Sequence, residues 1–588
     1  MAQRSESQGL AGERPIAAAG ARLRPRADGR LAAETLPAVP IMAPRLQGEV
    51  SSEGALRLAL WGLGDVGALR LPALEGPLTL APNLIEGRGG VGLWAAQSAP
   101  ALALRGPPPH RVRPSGEGRL RVEPRGDGWL IAAGADDAEL ERALALGPQT
   151  IVAEAEAHAR RCDRLPAAEP LLRSLVTHGV HAALASVRRD ERDQFAGLAA
   201  GLIYSNPPRT YFRDGYWTLQ ALLQVDPDAA AAEIEFLARG VQADGEAPSA
   251  VIVGGARAQA FEARRLAHPE MLGVHWRPGE WWSDHFDSPL FFVLALADHA
   301  AAVGASTLAE QHWPRVRAVF RRYQALRGPD GLPVKPRHDR DWADNVLREG
   351  LVGYDLGLWV GALDAIARLG ASLDPPLAEA ARAAAGQARA AIERMLWRDG
   401  YYLDYLRADG WAEPHLALDV LTLLRFGAAA PARAAEALEA ARTRLESRRN
   451  AEQPYGDFGM LCVWPPFADR QALRAKSAFP YRYHNGGDWP WLDGLYAGER
   501  LRRGLPGWRY PLTRWWETCL ERGWAGAVEH FSSPFGRGSL LQAWSSLPAA
   551  VALRFADQVL KDDPDVWPPS PSARGERVWR PISSAARR

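Results

Sequence analysis

The order of apolar and polar positions divides the chain into two regimes. Between about residues 45 and 150, short apolar runs such as Leu56–Trp61, Ala68–Leu71 and Leu120–Val122 alternate with Gly- and Pro-containing turns. Arg125-Gly126-Asp127-Gly128-Trp129 turns into a further strand. Short strands at this spacing predict a β-sandwich over 41–150. It holds few histidines or paired acids, so a structural cap is its plainest role. From about 150 onward, apolar residues recur at helical spacing. The spans are 151–162, 170–187, 229–240, 288–303, 307–326, 351–369, 376–397, 414–426, 431–448, 489–503, 509–522 and 538–556, many of them Ala-rich. Loops rich in Gly, Pro, Trp and Asp separate them at 204–216, 268–287, 328–350, 450–488 and 524–537.

About a dozen helices with such loops predict a mainly α protein. The expected architecture is an (α/α)6 toroid over 151–560, with inner and outer helical rings and a site built by the loops at one end. No repeat of fixed period suggests a solenoid. Residues 1–40 are Ala, Arg, Gly and Pro without apolar periodicity and are expected to form a disordered tail. They lack the apolar segment of a secretory signal, and Glu6, Glu13, Asp28 and Glu34 argue against a transit peptide, so a cytoplasmic location is expected. Residues 561–588 are expected to be an irregular extension. No run of about 18 apolar residues occurs, so no membrane span is expected.

Charge narrows the function. Lys+Arg number 70 and Asp+Glu 69, a net charge of +1, which leaves no global basic field for nucleic acid or an anionic membrane. Three cysteines, Cys162, Cys462 and Cys519, are too few and too scattered for a disulfide framework or a CxxC knuckle. His268, His275, His285 and His338 form no HxH or HxxxH pair, and no acidic loop has calcium-ligand spacing, so no metal or cofactor is expected. GxxxxGK[ST] and GxSxG are both absent.

Tryptophan is the compositional anomaly: its 22 residues outnumber Phe and Tyr, and many, such as Trp276, Trp281, Trp282, Trp342, Trp464, Trp489, Trp491, Trp524 and Trp544, fall in loops or at helix starts. An indole face beside acids suits the C–H face and hydroxyl edge of a sugar ring, although packing explains any single Trp as well. Four polar loops carry the chemistry. Arg213-Asp214 precedes a helix, where Asp214 either caps it or binds sugar hydroxyls. Asp284-His285-Phe286-Asp287-Ser288-Pro289 includes a cap in Asp287 or Ser288, which leaves Asp284 and His285 unexplained. Asp339, Asp341 and Asp344 surround Trp342, and a carboxyl beside Trp can be kept protonated by desolvation. The last are Tyr483-His484-Asn485-Gly486-Gly487-Asp488-Trp489-Pro490-Trp491 and Glu529-His530, followed by Gln542-Ala543-Trp544-Ser545.

Taken in order, these stretches resemble the six-hairpin glycosidases, above all bacterial amylo-alpha-1,6-glucosidase (glycogen debranching) domains, then mannosylglycerate-hydrolase-like and glucosidase-I-like members. Arg213–Leu219 is similar to that group's RDT-x-I-x-L stretch and Asp287–Phe292 to its DAPLWF. Asp341–Asp344 is similar to TWMD, Tyr483–Trp491 to YHNGxxWPW, and Glu529 with Gln542–Ser545 to its final Glu and QAWS. Gly215 stands where the group has Thr, and Ala343 where it has Met. The resemblance implies an inverting hydrolase of an α-linked glucoside or related oligosaccharide, with Asp344 as general acid and Glu529 as general base. Asp341, Asp214 and Asp287 are rival acids, and Trp342 and His530 are candidate tuners. Arg213, Asp214, Trp282, Asp287, Asp341, Trp342, His484, Asn485, Trp489 and Trp544 are the expected sugar-binding residues. A glycoside phosphorylase on the same fold, a non-catalytic saccharide-binding protein and a helical scaffold are the rival classes. The particular sugar and the oligomeric state stay open.

Overall fold

The computed structural model describes residues 22–74, 76–202, 207–267, 277–533 and 535–565. The amino-terminal unit is two antiparallel sheets. One runs, in spatial order, Arg24–Pro25, Leu31–Ala33, Leu78–Ala81, Leu84–Glu86, Gly92–Ala95, Ala101–Arg105, Gly128–Gly134 and Arg119–Arg125. The other runs His110–Pro114, Gly64–Arg70, Ala55–Leu60, Leu46–Val50 and Val39–Met42. Ala55–Leu60 shows the underlying alternation, with Leu56, Leu58 and Leu60 buried and Ala55 and Arg57 facing out. The expected tail is shorter than 1–40. Leu23 and Leu31 are buried, and residues 24–42 contribute three strands, because a few apolar residues suffice to seat an edge.

Two helices, Asp137–Leu144 and Pro148–Cys162, lead from the sandwich into the helical body. The second packs against strands Gly92–Ala95 and Ala101–Arg105 on one side and against helix Pro170–Ser186 on the other. Trp61 Nε1 donates to the Ala196 carbonyl at 3.0 Å and an Arg188 guanidinium N–H to the Ala43 carbonyl at 2.7 Å, so polar contacts also cross the junction.

Six helices form a closed inner ring. They are Phe212–Val225, Ser288–Val303, Gly353–Leu373, the short Leu418–Leu421 and Thr422–Arg425 segment, Pro490–Arg502 and Leu547–Arg554. Each touches the next, and the last touches the first. The outer ring is Pro227–Leu237, Trp313–Ala325, Pro375–Met395, Pro431–Arg444, Arg509–Glu521 and, from the start of the domain, Pro170–Ser186, which backs Leu547–Arg554. The (α/α)6 toroid behind an antiparallel sandwich is thus as expected.

The helix expected after Arg213-Asp214 begins at Phe212 and takes both residues into its first turn; it shows no periodic apolar span because it is buried on nearly every side and Arg213, Asp214, Thr218 and Gln220 interrupt the stripe. Gly353–Leu373 is long and apolar enough to cross a membrane by length and composition. Its place in the inner ring accounts for that apolarity, since an inner helix is buried all round. At the carboxy-terminal end, Asp563 accepts from the Gly507 and Arg509 backbone N–H groups, and Asp565 pairs with Arg442, Arg448 and Arg449.

Close packing of the inner ring requires small residues at the crossings. A Cβ on Gly494 would lie 2.8 Å from the Pro548 backbone nitrogen and 3.0 Å from the Leu547 carbonyl carbon. Gly386, in the outer helix Pro375–Met395, has nothing within 4 Å of such an atom. Gly494→Val is expected to cost about 1–3 kcal/mol by overpacking. Gly386→Ala is expected to add about 0.5–1 kcal/mol through helix propensity. Denaturant unfolding of the two variants checks both signs.

Candidate active site

The inner helices present their amino-terminal ends to one another, and none has a side-chain cap. Contacts there run from helix to helix around the inner ring: Gln542 Nε2 donates to Asp214 Oδ1 at 3.1 Å, Tyr354 Oη to Asp287 Oδ2 at 3.0 Å, and Thr422 Oγ1 to the Tyr354 carbonyl at 3.0 Å. The positive ends of the helix dipoles thus surround a set of carboxylates. Asp287 sits at an N-cap position but does not cap. It accepts instead from Tyr354 and from His285 Nδ1, the latter at 2.6 Å, so the capping expectation for Asp287 fails.

The loop carrying Asp341–Asp344 is held by a buried charge cluster. Asp341, fully buried, lies 3.1 Å from Lys335 Nζ and 3.0 Å from an Arg348 guanidinium nitrogen. Its Oδ1 also accepts the Ala343 backbone N–H at 2.8 Å. Arg348 reaches on to Asp404 at 2.8 Å and Asp419 at 2.7 Å, and the Trp342 indole N–H donates to Asp419. Burial alone would raise the Asp341 pKa, but Arg348 and Lys335 outweigh it and hold the group well below the usual carboxylate range. Asp341 is therefore a fixed anion walled in by cations. It is neither a proton donor nor a sugar ligand.

Asp344, three residues on, stands clear of that cluster. Its side chain is 23% exposed, its nearest polar partner is Asn345 Nδ2 at 2.9 Å, and Tyr483 Oη reaches Oδ1 only at 3.5 Å. Burial pushes its pKa up to about 6, against the pull of Arg213 and with a further push from Glu529. Glu529 is buried, accepts the Ser539 backbone N–H at 3.2 Å, and has the Cβ-free face of Gly538 against its Oε2. The Tyr483 hydroxyl, raised by burial, also feels both Asp344 and Glu529. Tyr483 adopts φ +52°, a strained conformation for a bulky residue, which its backbone N–H supports by donating to Ser532 Oγ at 3.2 Å.

Arg213 and Asp214 lie in the first turn of Phe212–Val225, both buried, 3.3 Å apart. Burial pushes Asp214 to about 6 despite Arg213. Arg213 donates to the Asp341 carbonyl at 3.2 Å and lies 5.2 Å over the Trp544 ring. Asp214 Oδ2, Arg213 Nε, Gln542 Oε1, Trp544 Nε1 and His484 Nδ1 are buried without a hydrogen-bond partner. Polar groups in that state call for a polar ligand or water.

The tryptophans play a different part from the one expected. Trp342, Trp489, Trp491 and Trp544 are at most 3% exposed and pack edge or face on at 5.2–5.7 Å, forming the floor beneath the carboxylates. Of the expected aromatic sugar contacts, Trp282 remains exposed, at φ +52° and stacked on Trp281. His484 stacks on Trp489 at 4.9 Å, and burial holds it well below the ordinary histidine range, so it is neutral. Asn485 is buried and spends its amide on the Phe467 N–H and the Ser477 carbonyl, a loop brace and not a sugar ligand. Asp284 pairs with Arg322 and Arg340. Trp276, His268 and His275 lie outside the described residues. Sequence reasoning missed Lys335 and Arg348, and it gave no role to Tyr354, Tyr483 or Gln542, although Tyr483 and Gln542 stand in the stretches it singled out. A separate groove of about 710 Å³, lined by Arg337, Glu349, Arg407, Trp411 and Asp469, has its charges paired with one another.

No protein-family sequence model matches the chain, and no curated protein sequence does. Solved structures do match in fold. A bacterial glucoamylase complexed with acarbose superposes with a TM-score of 0.55 at 11% identity, over 92% of this chain and 86% of its own. A rhamnosidase from Klebsiella oxytoca with rhamnose bound gives 0.50 at 14% identity, over 94% and 98%. At these identities the likeness establishes the fold, a six-hairpin toroid with its amino-terminal sandwich.

The buried cluster generates a prediction. Arg348→Met removes the guanidinium shared by Asp341, Asp404 and Asp419, and is expected to cost about 3–5 kcal/mol because it breaks a buried ion cluster by taking away its central cation. Denaturant unfolding measures it. An unchanged unfolding free energy would mean that the cluster does not hold this loop.

Proposed function

We propose that the protein is an inverting glycoside hydrolase acting on an α-linked glucoside or related oligosaccharide. The observation that carries this is Asp344, a partly exposed carboxyl raised to about 6 by burial and coupled to Glu529 in the same site. Asp214 is raised to a similar value, but it is buried and held by Gln542 and Arg213, so it is placed to bind and not to deliver a proton.

In this reading Asp344 gives its proton to the glycosidic oxygen as the bond to the anomeric carbon breaks. Glu529 takes a proton from a water that attacks that carbon from the opposite face. The hydroxyl of the water ends on the sugar and the Asp344 proton on the departing alcohol, and exchange with solvent resets both carboxyls. The water needs about 6.5–9.5 Å between the two groups. Arg213 and Asp214 bind sugar hydroxyls, and the Trp floor keeps water from solvating Asp344. The narrower candidate, debranching of a glucose polymer, comes from the group that the sequence motifs resemble most. The likeness to a glucoamylase holding acarbose is in keeping with a saccharide substrate.

Sugar release from α-glucosides, α-mannosides and glycogen limit dextrin, with and without phosphate, tests the proposal. Hydrolysis is expected without phosphate, and Asp344→Asn and Glu529→Gln are each expected to lower kcat about 10²–10⁴-fold while staying folded. Strict phosphate dependence would overturn the hydrolase reading in favour of a phosphorylase, and binding without turnover would leave a saccharide-binding protein. Because the acid must be protonated, kcat/KM is expected to fall about tenfold per unit as pH rises above about 6. A profile flat from about pH 6 to about pH 9 would exclude Asp344 as the acid.

A further inference from the structure

A second polar cluster lies far from the carboxylates, at the seam between sandwich and toroid. His158 and Cys162 are one turn apart on helix Pro148–Cys162 and so share a face. His181 faces them from helix Pro170–Ser186. His158 Nε2 is 2.9 Å from His181 Nδ1 and 3.7 Å from Cys162 Sγ, and the three ligand atoms all lie within 4.8 Å of one another. All three residues are buried.

A single hydrogen bond accounts for the two imidazoles at 2.9 Å but leaves the thiol beside them without a role. The same atom, His158 Nε2, faces both the second imidazole and the thiol, and a neutral imidazole nitrogen either donates once or accepts. Two heteroatoms converging on a third, without a carboxylate among them, instead describe the corners of a coordination polyhedron. Zinc–nitrogen and zinc–sulfur bonds of about 2.0–2.1 and 2.3 Å, at a tetrahedral angle, place N and N about 3.4 Å apart and N and S about 3.5 Å apart. The observed N···S separation of 3.7 Å is close to its value, and the N···N separation of 2.9 Å is about 0.5 Å shorter, so binding would move the two rings slightly apart. The donor set is soft to borderline, two imidazoles and a thiol, which suits Zn(II) or Cu(I) over Mg(II) or Ca(II).

We infer that His158, Cys162 and His181 form a structural site for a closed-shell d10 metal ion, Zn(II) or Cu(I), that staples the linker helix to the outer ring of the toroid. The two imidazoles are in the form such an ion needs, while the thiol must give up its proton to bind. Burial, with Arg161 adding to it, lowers His158 to about 4, and burial holds His181 well below its ordinary range, so both rings are neutral. Burial pushes the Cys162 thiol up, a penalty on the thiolate that a bound cation would offset. The consequence is mechanical. Helix Pro148–Cys162 also closes the second hydrophobic core, with Ile151 and Ala155 packed beneath Leu130 and Leu140. An ion at its last turn would therefore fix the sandwich against the barrel.

The test uses the full chain, produced in zinc-supplemented and in copper-supplemented medium, with metal content measured after gel filtration. About one ion per chain is expected in the wild type and in the control Cys519→Ser, and none in Cys162→Ser or His181→Ala. The medium that gives stoichiometric loading distinguishes zinc from copper. In case the variants fail to fold, wild type stripped with chelator is reloaded with Co(II), and a thiolate-to-cobalt charge-transfer band is expected. Wild type carrying no more metal than the variants, together with no such band on cobalt addition, would overturn the inference.

Discussion

The position of Asp344 depends on Arg348. That guanidinium, 2% exposed, is shared by Asp341, Asp404 and Asp419, and with Lys335 it fixes both ends of the Asp341–Trp342 turn. A buried ion cluster is poor evidence of net stability, because desolvation offsets most of the attraction. Its use here is geometric. With Asp341 pinned and the Trp342 indole tied to Asp419, Asp344 is left as the one carboxyl of the turn whose side chain is not consumed by a cation. Asp341 and Asp344 share a loop and a residue type, yet burial among cations drives the one down and burial without a close cation drives the other up.

The toroid supplies the other half of that arrangement. Six inner helices bring uncapped amino-terminal ends to one place, and the side chains in their first turns become the walls of the site. Some of the acids collected there, Asp355 and Asp493, are wholly enclosed, and burial holds them well above the carboxylate range, so they are neutral core groups. The Trp217, Trp342, Trp489, Trp491 and Trp544 floor lowers the local dielectric beneath Asp344 and Asp214 without occupying the space a substrate needs. On the proposed function, tryptophan richness and acid activation belong together: buried indoles near a carboxyl favour its protonated form by desolvation.

Much of this was legible in the sequence. The change from strand to helix patterning located the sandwich and the rings, and the order of acidic loops singled out Asp214, Asp287, Asp344 and Glu529, all of which the fold brings to the same end of the barrel. What failed did so for physical reasons. Trp489 and Asn485 were read as sugar contacts because composition reveals an aromatic or amide in a loop, not which way it faces. Arg348 and Lys335 gave no motif, although the chain has only three lysines, so a lysine beside an acidic loop was itself a signal. Gly215, the departure from the family pattern, is explained by Glu233, whose Oε1 would lie 2.8 Å from a Cβ there and fills the space a threonine would take. The His158, Cys162 and His181 cluster escaped notice because its ligands come from two helices at unequal spacing.

The account stands or falls on Asp344 as proton donor, and the leaving group tests that role directly. Wild type and Asp344→Asn would be compared on one sugar carrying either an alkoxide, which must be protonated to depart, or fluoride, which need not be. The account predicts a loss of about 10²–10⁴-fold in the variant on the alkyl glycoside and little loss on the glycosyl fluoride. An equal loss on both would contradict it and return the acid's role to Asp214 or Asp287.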